Sequence, residues 1–235
     1  MLDSLFASFQ NIIVLDVETT GIDMRRDEVI ELAALCVEKR GEELVTADEF
    51  DLFIRLSEGR HLPPVIVELT GITEERLLRE GVSKSAAAER FAELLRRPKP
   101  LVVAYNAQFD LCFLYYLLRR TGQAPLLRNI KMLDALTVYK DRQPYPHKLS
   151  DAVRAYSLQA QNTHRAIDDA KAALELLCAM ERECEDLDRY INLFGYNPKY
   201  GVSGPRISSI EYRPQPYNAV QKLYLQPEKR ETVQC

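Results

Sequence analysis

The sequence predicts an α/β fold in which a mixed five-stranded sheet is flanked by helices. Three features point to it. Three strand-like runs follow one another early in the chain, with short connections that suit an antiparallel meander. Helical and strand-like segments then alternate, the pattern that lays helices over a partly parallel sheet. The 235 residues, 46% hydrophobic and 28% charged, suffice for one sizeable core.

Each element has a local reason. Residues 11–17 (NIIVLDV) are a near-continuous apolar run, as expected of a strand covered on both faces, and Thr19-Thr20-Gly21 breaks it. Val29 to Val37 reads as a second strand. Phe50 to Leu56 alternates and reads as a third, with Gly41 and its acidic neighbours turning the chain between them. Pro63-Pro64 opens a short helix that Gly71 ends, and Ser83 or Ser85 caps a longer one through Ala86, Phe91, Leu94 and Leu95, stopped near Pro98. Leu101 to Tyr105 is a short buried strand. Phe109, Phe113 and Leu117, with Leu114 and Leu118, mark the next helix, which stops around Gly122. Ile130 to Leu133 is expected as the fifth strand. Helices follow near 148–157 and 166–187, the second with Ala166, Ala170, Ala173, Leu174, Leu177 and Cys178 at helical intervals. From about Tyr190 the composition shifts toward Tyr, Pro, Asn and Gly. The expected organisation is a domain over residues 10–187 and a partly irregular extension, 188–235, packed on it. That extension is expected to hold a strand at Ile207 to Arg213 and to fray after Asn218.

Composition narrows the function classes. No apolar run reaches the roughly 18 residues of a membrane span, and MLDSLFASFQ lacks the basic region of a signal peptide. A cytoplasmic protein with no membrane partner is expected. The five cysteines are an odd number and form no CxxC pair, which argues against a disulfide framework and against zinc. Cys36, Cys112 and Cys178 sit in apolar segments as small hydrophobes. A net charge of −4 excludes a strongly basic, non-specific duplex binder. Any nucleic-acid contact then needs a local basic patch, or cations held by clustered carboxylates; the second is the expectation.

Three segments carry residues suited to such cations. Asp16 and Glu18 lie two apart on a strand and project to the same face. Side by side they repel, and a cation between them removes the conflict; the competing reading is that both are simply solvated. Asp110 falls in the first turn of the helix that follows the 101–105 strand, where it either serves a site or complements the helix dipole. His164 precedes the 166–187 helix and Asp169 lies in its early part, so the two can face one space. The plain alternative is that Thr163 or His164 caps that helix while Asp168 and Asp169 complement its dipole. Taken together, three separate segments bring acids to one sheet edge. Oxygen ligands suit Mg²⁺ or Mn²⁺, and two such ions can clamp a phosphodiester for in-line attack.

At these residues the chain resembles a known family. Asp16-Val-Glu18-Thr-Thr-Gly21, Asn106-Ala-Gln-Phe-Asp110 and His164-x4-Asp169 are similar to the three exonuclease motifs of the DEDD superfamily, in its histidine-containing branch. That branch includes the epsilon proofreading subunit of bacterial DNA polymerase III and RNase T. The resemblance covers roughly residues 10–185, and Leu69-Thr-Gly-Ile-Thr73 also resembles a stretch between the first two motifs. It implies an RNase H-like fold and a two-metal 3′→5′ exonuclease releasing nucleoside monophosphates. It also implies that Asp16, Glu18 and Asp169 bind one ion, that Asp16 with Asp110 supports a second, largely through water, and that His164 is the general base. Thr20 and Gly21 resemble positions whose backbone approaches the terminal 3′-hydroxyl. Ile22 joins them in the expected substrate-binding set, as does Asn106, which is expected to fix the second-motif loop by hydrogen bonds.

The remaining candidates are weighed against these. His147 precedes Asp151 but in a loop-to-helix context, and is a weaker candidate base than His164. Phe109 reads as core rather than as a stacking platform. With no tryptophan, wedging between bases falls to residues such as Ile22 or Met24. Among the arginine pairs, Arg25-Arg26 are best placed to meet a strand. The expected substrate is nucleic acid with a free 3′ end, single-stranded, with DNA proofreading or repair ahead of RNA 3′-end trimming. A further class makes the chain an accessory subunit of a DNA polymerase or sliding clamp acting mainly by binding, for which Gln221-Lys-Leu-Tyr-Leu225 is a faint clamp-peptide motif.

Overall fold

The structure, a computed structural model, describes residues 1–217 and 221–227. A one-turn helix, α1 (Asp3–Phe6), leads into β1 (Asn11–Thr19), β2 (Val29–Arg40) and β3 (Glu43–Phe53). Helices α2 (Pro64–Thr70), α3 (Glu74–Glu80) and α4 (Lys84–Leu95) precede β4 (Pro100–Ala104), α5 (Ala107–Arg119), β5 (Lys131–Asp134) and α6 (Ala135–Lys140). Then come α7 (Leu149–Ala155), α8 (Ala166–Glu183), β6 (Leu193–Tyr196) and β7 (Glu211–Pro214).

The five-stranded sheet has the order β3-β2-β1-β4-β5. β1, β2 and β3 pair antiparallel, while β4 and β5 add to β1 in parallel, so the sheet is mixed. Hydrophobic clusters cover both faces. Ile13, Leu15 and Val17 of β1 pack with α4 and α5 through Phe91, Leu111 and Leu114. Ile12 and Val14 face the other way, onto Ala172, Ala173, Leu176 and Leu177 of α8. Because side chains alternate along a strand, Asp16 and Glu18 continue the α8 face beyond the point where apolar packing ends.

Several elements depart from expectation, each for a physical reason. The third strand begins at Glu43, well before Phe50, because β2 and β3 form a long hairpin turned at Gly41, whose φ of 64° suits glycine. Its first half is only partly buried since β3 is the sheet edge, and a half-solvated strand hides its periodicity. Helix α3 was not foreseen; it is short and mostly charged, and is started by Thr73, whose hydroxyl accepts the Arg76 N–H. Helix α6, capped by Asp134, was also not foreseen, because its six residues are too few to show a helical period. The strand expected at 207–213 is displaced to Glu211–Pro214, where it pairs in parallel with β6, itself not anticipated.

The end of the described chain is docked, against the expectation of fraying. Leu223 is fully buried in the cluster on the α8 face, its N–H donates to Asp141, and Lys222 pairs with Asp186. Arg213 donates to the carbonyl of Gln226 at 2.6 Å. The faint clamp motif at 221–225 therefore lies against the chain's own core. The rest of the tail, 228–235, lies outside the described residues.

Candidate active site

The site forms at the carboxyl end of β1 and β4, where parallel strands release their chains into loops and helices. β1 brings Asp16 and Glu18, both half-buried. The chain leaving β4 turns at Asn106, whose φ of 69° is left-handed, a region Asn tolerates, and enters α5 with Asp110 in its first turn. Asp110 is buried, and its carboxylate accepts the N–H of Val17 at 3.1 Å, tying α5 to β1 between the two first-motif acids.

The third segment closes over this edge from the α8 side. Asp169, buried in the first turn of α8, accepts the side-chain amide of Asn162 at 2.6 Å and the N–H of Thr163 at 3.2 Å. These bonds fold the loop back so that exposed His164, held at φ 58°, faces Asp169. One ligand atom each from Glu18, His164 and Asp169 lies within 4.8 Å of the others, a group that could hold a metal ion.

Electrostatics match such a role. Burial, then the carboxylates of Asp110, Asp169, Glu18 and Glu31, push Asp16 well above the usual carboxylate range. Burial, then Asp169, Glu31 and Asp110, raise Glu18 to about 8, with Arg165 opposing. Asp110 and Asp169 are raised chiefly by burial, opposed by the N–H groups of Asp110 itself and of Val17 in the first case, and by Asn162 and His164 in the second. Four acids that cannot all ionise together are a natural seat for divalent cations.

Supporting residues that the sequence reading did not single out fix these parts. Asp134, ending β5, accepts the N–H of Asn106 at 2.9 Å and of Ala107 at 3.0 Å while capping α6. It is thus Asp134 that holds the second-motif loop; Asn106 contributes its backbone, and its side chain makes no capping bond. Glu31 of β2, fully buried and opposite Glu18, accepts two bonds from Arg165 and the N–H of Ala166 at 3.0 Å. So α8 is started neither by Thr163 nor by His164. Its N-cap, Arg165, has no side-chain cap, and the needed acceptor reaches across from β2. A lone acid in the apolar run VIELAALCV, and another ending an apolar strand, were the available signals.

The first-motif turn is equally specific. Thr20 accepts the Glu28 N–H and donates to Asp27 at 3.2 Å, and its own N–H goes to the Glu28 carbonyl. A Cβ on Gly21 would stand 2.5 Å from Asp27 Oδ2, so any larger residue here must displace the Asp27 carboxylate. Ile22 is 85% exposed, whereas Met24 packs against the core on the α5 side and beside Gly204. Phe109 is packed against that core and lies 4.8 Å from Phe113. His147 is buried among Tyr139, Tyr145 and Tyr217, with Nε2 at 2.9 Å from the Gln143 carbonyl. It takes no part in the acid cluster. Arg96 and Arg97 are absorbed by ion pairs with Glu89, Glu38 and Asp48.

A mixed sheet with acids gathered at the carboxyl end of its central strands is the arrangement expected of a cation-dependent nuclease. A family model described as an exonuclease, of the RNase T type, matches residues 13–177. The PolC-type DNA polymerase III of Bacillus subtilis (strain 168) is 32% identical over 178 residues, covering 74% of this chain and 12% of that protein. Ribonuclease T of Photorhabdus laumondii is 34% identical over 118 residues, covering 47% of this chain and 54% of that protein. The structure of E. coli exonuclease I in complex with a dA16 oligonucleotide superposes with a TM-score of 0.68 at 20% identity. That match covers 77% of this chain and 42% of that one, and shows a shared RNase H-like fold. The chain belongs to this exonuclease family, whose members depend on divalent metal. It spans only a small part of the PolC proteins it matches.

Proposed function

We propose that the chain removes nucleotides one at a time from the 3′ end of single-stranded DNA, using two Mg²⁺ or Mn²⁺ ions. The observation that carries this is the convergence of Glu18, His164 and Asp169 beside half-buried Asp16 and buried Asp110. Asp16, Glu18 and Asp169 would hold one ion, and Asp16 with Asp110 a second. Bound there, divalent cations neutralise the acids and stabilise the charge that develops on phosphoryl and leaving 3′ oxygens. His164, exposed beside Asp169, takes the proton of the water that attacks phosphorus, and the P–O3′ bond breaks to release a nucleoside 5′-monophosphate. Since the N–H and hydroxyl of Thr20 are already engaged, contact with the terminal nucleotide falls to the Gly21 backbone and to Ile22, which is free to wedge against a base.

DNA is favoured over RNA because the PolC relatives match 74% or more of this chain in the first instances, against 47% for Ribonuclease T. An association with a DNA polymerase is proposed on the same relatives. A sliding clamp finds no support at 221–225, since Leu223 is buried. The unpaired thiols of Cys36, Cys112, Cys178 and Cys184 suit a cytoplasmic setting, and no helix among the described residues is long and apolar enough to cross a membrane. The test is a 5′-labelled oligonucleotide, DNA and RNA compared. Shortening in single-nucleotide steps is expected with Mg²⁺ or Mn²⁺, abolished by EDTA or Asp16→Ala, and slowed about 10²–10⁴-fold by His164→Ala. Cutting of a circular single strand would refute it.

A further inference from the structure

The net charge of −4 conceals a strongly basic cleft. A cavity of about 340 Å³ opens between the turn after β1 and the outer face of α5. Six cations line it, Arg25, Arg26, Arg60, Lys84, Arg119 and Arg120, against two carboxylates, Asp27 and Glu28. Those carboxylates are already committed. Glu28 pairs with Lys84 at 2.7 Å and lies 4.0 Å from Arg60, while Asp27 accepts from Thr20 and from the Asp23 N–H. Arg26 reaches Asp23 at 3.6 Å. Among the described residues, the guanidinium groups of Arg25, Arg119 and Arg120 make no ion pair or hydrogen bond, and all three are exposed.

The cleft is built onto the catalytic turn. Asp27 forms part of its wall and also closes on Gly21, so wall and first-motif loop are one hydrogen-bonded unit. On the other side, α5 carries Asp110 in its first turn at the acid cluster and ends at Arg119, with its C-cap Arg120, in the cleft. At 1.5 Å per residue, the ten residues from Asp110 to Arg120 span about 15 Å. That is the length of roughly four stacked nucleotides at 3.4 Å each. Unpaired guanidiniums at that distance are suited to phosphate oxygens, which arginine engages with a planar fork of donors.

We propose that this cleft seats the sugar-phosphate backbone of the substrate strand upstream of the scissile bond, with Arg25, Arg119 and Arg120 each neutralising a phosphate. The proposal rests on the exonuclease reading above and deepens it. Cations at the acid cluster grip the terminal phosphodiester, and the arginine cleft grips the strand that follows. An acidic protein can thus hold a polyanion.

The experiment measures binding of 5′-fluorescein-labelled dT12 and dT4 by anisotropy, in EDTA, as a function of NaCl. The variants are wild type, the triple variant Arg25→Gln/Arg119→Gln/Arg120→Gln, the matching triple Lys variant, and Arg96→Gln, whose partner is Glu89. Each phosphate contact on a single strand contributes about 0.7 to the slope of log K against log salt, or roughly fivefold in affinity at 0.1 M. The triple Gln variant is expected to lose about 100-fold in dT12 affinity and about 2 from the slope, with much less lost for dT4. The Lys variant should keep most of the slope, and Arg96→Gln should keep all of it. An unchanged slope in the triple Gln variant overturns the proposal, as does an equal loss for dT4 and dT12, which would mark a mononucleotide pocket. A Lys variant as weak as the Gln variant also overturns it, since loss of packing rather than of charge would then be the cause. Chain shortening by the wild type, followed in parallel, separates the two readings: if it fails the exonuclease reading falls, and if it proceeds while the slopes coincide only the cleft assignment falls.

Discussion

Removing a carboxylate from the acid cluster should make the metal-free protein more stable at alkaline pH, the reverse of what loss of a polar group usually does. Glu18 is the cleanest case. Its ordinary value of 4.5 is raised to about 8, first by burial and then by Asp169, Glu31 and Asp110. The folded state therefore binds a proton that the unfolded chain releases between these values. The stability this proton contributes is fully present below about pH 4.5 and is lost as pH rises through about 8. At about 1.4 kcal/mol for each tenfold change in proton affinity, the upper bound is about 5 kcal/mol, which solvent around a half-buried group reduces to about 2. For a chain of this size 2 kcal/mol is roughly 4–8 °C in Tm. Thermal melts followed by circular dichroism in EDTA, at pH 5 and at pH 8.5, measure it. Wild type should lose several degrees between the two pH values and Glu18→Gln distinctly less, so that the variant melts higher at pH 8.5. Millimolar Mn²⁺ should restore wild type at pH 8.5 and do little for the variant. A wild-type Tm that is flat or rising over this range in EDTA, with Glu18→Gln parallel to it, would show that the acids do not repel as their burial implies.

Other outcomes follow from the same contacts. Asp134→Ala strips acceptors from the N–H groups of Asn106, Ala107 and Thr137; a loss of about 3 kcal/mol is expected in urea unfolding, together with reduced activity as the seat of Asp110 loosens. Glu31→Gln weakens the hold on Arg165 and on the loop that carries His164. It should lower kcat at least tenfold while leaving KM within about threefold, measured by steady-state kinetics. Gly21→Ala places a methyl 2.5 Å from Asp27 Oδ2, and is expected to disturb the first-motif turn and raise KM, with Asp27→Ala partly rescuing it. Leu223→Ala opens a hole in a fully buried position and should cost about 2–4 kcal/mol by chemical denaturation; a change below 0.5 kcal/mol would mean the segment is only loosely seated.

Much of the architecture was legible because apolar periodicity is a local property. β1, β4 and α4 announced themselves through continuous or helical apolar patterns that each serve one buried surface. β3 was read only in its second half, from Phe50, since the first half of this edge strand is partly solvated and shows no clean alternation. β6 was missed altogether and β7 was read four residues early, because four residues each are too few to show a period. The docking of Leu223 was invisible for a related reason: one buried side chain in a polar segment looks like any exposed one until its cavity is known.

The chemical identity of the site was written in the chain: Asp16, Glu18, Asp110, His164 and Asp169 stand in three separate segments, and only their residue types and order were needed to suggest cations and phosphodiester chemistry. What holds them was decided by the tertiary fold. Glu31 meets Arg165 across 134 residues, Asp110 meets Val17 across 93, and Asp134 meets Asn106 across 28. Likewise Arg25 and Arg120 share a cleft only because α5 packs beside the turn after β1. A carboxylate's partner, and hence its proton affinity and its role, depends on distance in space, and distance across such separations is set by how the sheet and helices close upon one core.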